Sequence, residues 1–193
     1  MALSKPTPGD PIPVLIASLL SELGEDPDRQ GLKATPERVS SALRELTDGY
    51  RTRPEDVIAG GVFDQDHDEM VVVQDIPFYS LCEHHMLPFF GRCHVGYLPK
   101  GRVIGLSKIP RLIDVFAHRL QVQESMTREI AEALQRAIEP RGVGVVVEAR
   151  HLCMEMRGVQ KQGGHMMTSS MLGTFRKDPT TRTEFLELVR KPG

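Results

Sequence analysis

The sequence predicts an α+β domain built on a largely antiparallel sheet. Stretches of β-branched residues and stretches with helical periodicity come in runs rather than in strict alternation, the pattern of segregated strands and helices. A composition of 40% apolar and 26% charged residues is that of an ordinary globular chain. A length of 193 residues suffices for one well-buried domain with an extension, and not for two independent domains.

The first ten residues, with two prolines, a glycine and a serine, read as a mobile leader. Leu15, Ile16, Leu19, Leu20 and Leu23 then recur at helical spacing up to Gly24. A second helix is announced by Thr35 as N-cap, Pro36 at the first helical position and Glu37 in the first turn, with Val39, Ala42, Leu43 and Leu46 as its apolar stripe. Residues 1–50 are therefore expected to form a leader and two-helix extension, and residues 51–193 the main domain. There, Val71–Val73 and Ile76 predict a strand, and Arg92–Leu98 and Arg102–Leu106 two more about a Pro99-Lys100-Gly101 turn. Ile109, Leu112, Ile113, Phe116 and Leu120 mark one amphipathic helix, and Met126, Ile130, Ala133, Leu134 and Ile138 another ending near Pro140. Val143–Met156 returns to strand chemistry, and Thr180–Arg190 predicts a short last helix.

With 24 basic and 26 acidic side chains the formal charge is 24 − 26 = −2, so no global polycation exists to hold a nucleic-acid backbone and any anion site must be local. The apolar stretch from Ile12 to Leu20 is interrupted by Pro13 and Ser18 and is too short to cross a bilayer, which needs roughly 20 residues. It is also a poor signal peptide, so a cytoplasmic protein without a membrane partner is expected. Three cysteines cannot all pair within one chain, and a reducing compartment favours metal ligands, nucleophiles or buried thiols.

Cys82-Glu83-His84-His85 contains a C-x-x-H spacing that can place a thiolate and an imidazole on one cation if the chain turns there. Its second half is sought in Val143, Val145, Val147, Ala149, His151 and Cys153, alternate positions of one expected strand that would share a face. Cys82, His85 and Cys153 would give three ligands of the types zinc prefers, leaving a fourth position open as in catalytic sites. His84 and His151 would stand nearby as proton carriers, since an ordinary imidazole titrates near neutrality. Cys93, without metal-like spacing, reads as a small core residue.

Lys108 and Arg111 occupy the first turn of a predicted helix, where cations oppose the macrodipole unless an anion joins them. If the Cys153 strand continues, Arg157 shares its face roughly 13 Å further on, a span comparable to a nucleotide from base to terminal phosphate. It reads equally as a surface arginine. Gln123-Glu124 offers an amide and a carboxylate at a helix junction, suited to the paired donors of a guanine edge or, as readily, to an acid at a helix start.

Together "SLCEHHMLPFFG", "GLSKIPRLIDVFAHRLQVQE", "HLCMEMRGV" and "TRTEFL" resemble GTP cyclohydrolase I, over about Gly31 to Arg190. The resemblance implies a tunnelling fold (T-fold), an antiparallel sheet with two packed helices, preceded here by an N-terminal helical extension. It implies a toroidal homodecamer with sites at subunit boundaries. Residue by residue, Cys82, His85 and Cys153 match the Zn2+ ligands. His151 matches the residue that exchanges protons with the purine, and His84 one assigned to later ring and ribose steps. Glu124 with Gln123 matches the guanine-recognising pair. Ser107, Lys108, Arg111 and Arg157 match residues around the ribose and triphosphate, and Arg38, in "TPERV", a phosphate contact from a neighbouring subunit.

The implied reaction is hydrolysis of GTP to 7,8-dihydroneopterin triphosphate and formate, a route to folates and pterins that needs no redox cofactor. Zinc would bring the pKa of a water toward about 7 for attack on C8 of the purine. The segment Gly163–Ser169 departs from the family's more β-branched approach to its Thr-Ser pair, which leaves His165 unassigned as a loop or strand-edge residue. Two alternatives remain: another pterin or deazapurine enzyme of this fold, and a non-catalytic zinc-stabilised scaffold with a fourth protein ligand.

Overall fold

A computed structural model describes residues 9–190, so most of the expected leader lies outside the described residues. The chain divides into two compact units, Met1–Asp48 and Gly49–Gly193.

The first unit holds α1 (Ile12–Glu22) and α2 (Thr35–Leu46). Asp10 organises it: one carboxylate oxygen accepts from the Ile12 backbone N–H, and the pair accepts from Ser40 Oγ and from the Arg44 guanidinium at 2.9 and 2.5 Å. These donors, Arg44 foremost, hold the Asp10 carboxyl well below the usual carboxylate range. Thr35 proves to be the first residue of its helix, with Ala34 at the N-cap and no side-chain cap. Leu15 and Leu19 of α1 and its C-cap Leu23 are exposed, while Ile16 and Leu20 are half-buried.

The second unit runs α3 (Pro54–Ile58), β1 (Val62–Asp64), β2 (Val71–Cys82), β3 (Pro88–Leu98), β4 (Arg102–Ile104), α4 (Lys108–Ala117), β5 (Leu120–Gln121), α5 (Gln123–Ile138), β6 (Gly142–His151), α6 (Leu152–Glu155), β7 (Met166–Gly173), α7 (Thr174–Lys177) and α8 (Pro179–Val189). The main sheet has the order β5-β2-β3-β6-β7 and is antiparallel except for the short β5–β2 pair. β4 pairs with β1 in a separate two-stranded sheet instead of extending the main one. Both edges of β3 are already taken by β2 and β6, so β4 has nowhere to add beside it.

Alternation along β6 decides the layering. Val143, Val145, Val147 and Ala149 face the core with at most 1% exposure, beneath α4 and α5, whose Ile109, Leu112, Ile113, Ile130, Leu134 and Ile138 are equally buried. On the opposite face Val146 packs with Phe175 and Phe185 from α7 and α8. Gly96 and Gly144 make room for them: a Cβ at Gly144 would lie 2.6 Å from the Phe175 ring, and one at Gly96 2.7 Å from Phe185. Asp178 caps α8, accepting from the Thr180 and Thr181 backbone amides.

β2 carries a bulge between Val73 and Ile76, where Asp75 takes a φ of 55°. His94 Nδ1 accepts from the Asp75 N–H and the Arg92 guanidinium donates to the Asp75 carbonyl, so the left-handed residue is tied on both sides.

Candidate functional site

The β2–β3 hairpin turns over Cys82–Leu87, since Leu81 opposes Pro88 and the Cys82 N–H donates to the Leu87 carbonyl. The Cys82 carbonyl accepts from both His85 and Met86 N–H groups, winding the chain into a helical turn that Met86 closes at a φ of 55°. That turn brings residues 82 and 85 to the same side, which an extended strand would not. His85 Nδ1 lies 3.9 Å and His84 Nδ1 4.0 Å from Cys82 Sγ. His84 is the more open of the set, its ring loosely paired with Glu83 at 3.7 Å.

The third member arrives differently from the expectation. β6 ends at His151, and Cys153 sits in the helical turn α6, so His151 and Cys153 are not alternate positions of one strand. The turn is pinned across its base by a bidentate pair, Arg150 to Glu155 at 2.9 and 2.5 Å, which holds the Glu155 carboxyl below its ordinary range. Coiling instead of extension carries the Cys153 thiol to Cys82 and His85: one ligand atom from each of the three lies within 4.8 Å of the others. Burial and the adjacent Cys82 thiol push the Cys153 thiol up, against the pull of Arg157. The same coiling removes the extended run of roughly 13 Å to Arg157. Arg157 folds back, and its Nη1 lies 2.8 Å from His85 Nε2.

His151, the last inward position of β6, stacks on Phe89 with ring centroids 4.8 Å apart and planes within 3°. Its Nε2 is 2.8 Å from Gln123 Oε1. Burial lowers its pKa, opposed by the charges of Glu124 and Glu155. Glu124, in the first turn of α5, is exposed beside it. Gln123 is 1% exposed and its side-chain amide is fully engaged inside the chain, by His151, the Val147 and Met166 carbonyls and Thr168. Its side chain therefore has no free group to offer a base edge, in contrast to the expectation that it partners Glu124. The polar pair Gln123 and Thr127, one turn apart on the otherwise apolar inner face of α5, is the sequence signal for this network.

Ser107, Lys108 and Arg111 lie at the far end of α4. The C-terminal end of that helix leads into β5, which pairs with Leu81 and Cys82, and ten helical residues span roughly 15 Å. Lys108 Nζ donates to the Val57 and Ala59 carbonyls near the end of α3 at 2.8 and 3.1 Å, which answers the unfavourable placement of a cation at its own helix start. One chain thus does not bring these three residues to the cysteine and histidine cluster. Arg38 is exposed on α2 in the other unit. His165 precedes β7 and pairs with Glu148 at 3.3 Å. Cys93 is fully buried, and burial pushes its thiol far above the usual range, leaving it inert.

Two thiols and one imidazole within 4.8 Å fit a borderline-soft cation such as zinc in donor type and number. On a tetrahedron, ordinary zinc bond lengths separate a sulfur from a nitrogen ligand by about 3.6 Å, against 3.9 Å between Cys82 and His85 here. The cluster could accept the ion with shifts of a few tenths of an ångström to about one ångström.

A sheet with two helices on one face and a cysteine–histidine–cysteine cluster at its end is the T-fold with a candidate metal centre. The model of the family described as GTP cyclohydrolase I matches residues 13–190. GTP cyclohydrolase 1 of Synechococcus sp. (strain JA-3-3Ab) is 58% identical over 177 residues, 92% of this chain and 77% of its own. The proteins of that name from Coxiella burnetii (strain RSA 493 / Nine Mile phase I) and Methylococcus capsulatus are each 58% identical, over 91% of this chain and 96% and 95% of their own. The chain belongs to the GTP cyclohydrolase I family.

Proposed function

We propose that this protein hydrolyses GTP to 7,8-dihydroneopterin triphosphate and formate, with Zn2+ held by Cys82, His85 and Cys153. The observation that carries the reading is the convergence of those three ligand atoms beside a histidine held by stacking and a hydrogen bond. When bound, the ion supplies a water acidic enough to react near neutral pH. His151 donates to the purine, its lowered pKa making it a readier acid once protonated. His84, exposed at the rim, serves the later ring and ribose steps. The Glu124 carboxylate accepts the two parallel donors of a guanine edge. Arg157, already against His85, meets the triphosphate on this side of the site.

Ser107, Lys108 and Arg111 complete the phosphate side from another copy of the chain, and Arg38 reaches it from a neighbouring subunit. For Ser107, Lys108 and Arg111 this is supported by their place at the far end of α4 from the cluster within one chain, and by the open edges of the sheet. Among the described residues β7 is hydrogen-bonded only to β6, and β2 pairs beyond β3 only at Leu81 and Cys82. Such edges join by strand pairing, and a toroidal decamer would close them. Residues 51–193 form the catalytic domain and residues 1–50 its extension. The enzyme works in the cytoplasm, where its free thiols stay reduced.

The test is incubation of zinc-loaded protein with GTP, following product fluorescence and formate, with and without a chelator. Turnover that the chelator abolishes and zinc restores is expected, and His151→Ala should keep its zinc while releasing no formate. A zinc-loaded wild type that leaves GTP intact would refute the reading.

A further inference from the structure

The Gln123 side-chain amide is engaged at both its nitrogen and its oxygen, and the chemistry of its partners fixes its direction. Its Nε2 lies 3.1 Å from the Val147 carbonyl, 3.0 Å from the Met166 carbonyl and 3.1 Å from Thr168 Oγ1. Carbonyl oxygens only accept, so the amide nitrogen must face them; turning the amide over would set Oε1 against two carbonyl lone pairs. The hydroxyls agree. Thr127 Oγ1 donates to the Gln123 backbone carbonyl at 2.7 Å, which uses its one hydrogen. The 2.7 Å contact between the threonines then has Thr168 donating, and the lone pairs of Thr168 are left for Gln123 Nε2.

With the amide so held, Oε1 is the atom that meets His151 Nε2 at 2.8 Å, and that nitrogen must carry a hydrogen. Phe89, stacked within 3° of coplanar, resists tilting of the ring out of this contact. The network draws on β6, β7 and α5 together, and β6–β7 pairing places Val147 opposite Thr168.

We propose that Gln123, oriented by Thr168 and Thr127, is a positioning residue that fixes His151 as its Nε2–H tautomer, so that His151 exchanges protons through Nδ1, and that the Gln123 side chain does not read the nucleobase. The catalytic half of this proposal rests on the GTP-hydrolysing function proposed above; the tautomer half does not. Loss of the orienting amide lets the ring populate the other tautomer and other orientations, which lowers the rate of proton exchange with bound substrate and leaves binding intact.

The test uses full-length zinc-loaded protein. Magic-angle-spinning NMR of protein labelled with ¹⁵N-histidine, with the His151 signals identified by their loss in His151→Ala, should show a protonated Nε2 and an unprotonated Nδ1 in the neutral ring. In Gln123→Met both tautomers should appear. Kinetically, Gln123→Met should lower kcat about a hundredfold, within the range that general acid–base catalysis contributes. Its KM for GTP and its preference for GTP over inosine triphosphate, which lacks the exocyclic amine, should stay unchanged. Glu124→Gln should erode that preference.

Should Gln123→Met fail to fold, Thr168→Val serves in its place, with a loss in kcat of about fivefold, the worth of one hydrogen bond, recovered in Thr168→Ser. A neutral His151 carrying its hydrogen on Nδ1 overturns the proposal. So does a Gln123→Met enzyme with normal kcat, or one that loses nucleotide preference. A wild type inert toward GTP would refute the function while the NMR result still decides the tautomer.

Discussion

Replacing Cys153 by alanine removes one of the three proposed zinc ligands and little else, because the residue is only half-buried in a single helical turn pinned by Arg150 and Glu155. The three ligand atoms lie within 4.8 Å of one another, and a zinc tetrahedron asks for about 3.8 Å between sulfurs and 3.6 Å between sulfur and nitrogen. The wild-type site is therefore nearly formed before the ion arrives, and zinc should bind with one-to-one stoichiometry without refolding. In Cys153→Ala the pair Cys82 and His85 remains 3.9 Å apart but is left with two donors. Loss of an outer partner of a metal ligand costs roughly 10- to 100-fold in affinity, so loss of a ligand itself should exceed about 100-fold. Competition with a chromophoric chelator measures this, and cobalt substitution should lose its thiolate charge-transfer absorption. Thermal melting of the metal-free proteins should show the mutant folded. Cys93→Ala, which removes a thiol from the core, should keep full zinc affinity at some expense in stability. A Cys153→Ala protein with stoichiometric zinc at wild-type affinity would refute the ligand assignment, and so would loss of zinc in a folded Cys93→Ala.

Charge reversal in Arg157→Glu should weaken GTP far more than guanosine in calorimetric titrations; equal losses would remove its phosphate role. Phe185→Ala should destabilise the protein by about 3–5 kcal/mol in urea unfolding, because a ring with no exposure that packs edge-on against Phe175 over Gly96 leaves a cavity that glycines cannot refill. An effect below about 1 kcal/mol would mean that the outer layer contributes little. The lowered pKa of His151 means that the folded state binds fewer protons than the unfolded one in the window between the two values. Its contribution to stability is thus full above the ordinary histidine value, near 6.5, and fades as pH falls through the lower folded value. Metal-free wild type should therefore lose melting temperature over that window more steeply than metal-free His151→Gln, and parallel curves would contradict it.

Much of the architecture is legible in local pattern. The α5 helix follows its apolar stripe and α4 follows its own as far as Phe116, the expected Leu120 falling instead in β5, which pairs with β2; the alternation Val143, Val145, Val147, Ala149 correctly marks the inner face of β6. Both halves of the ligand cluster are visible as cysteine and histidine spacings. The failures share a cause. β1, β7 and the short α3 lack a strong period of their own, and Met166–Gly173 is a strand because β6 offers it an edge. Thr35 carries good capping chemistry, yet the helix begins one residue earlier in effect, with Ala34 at the cap.

What the sequence determined by itself is the inventory: which side chains can hold a cation, which can carry a proton, and which faces must be buried. Those properties belong to residue types and their periodicities. The tertiary structure alone decided that Cys153 reaches Cys82 by coiling after His151, that Arg157 folds back onto His85, and that Gln123 faces a histidine and two carbonyls. Each of these depends on partners that are remote in the chain, and a hydrogen bond or a shared cation is a property of the meeting and not of either residue before it.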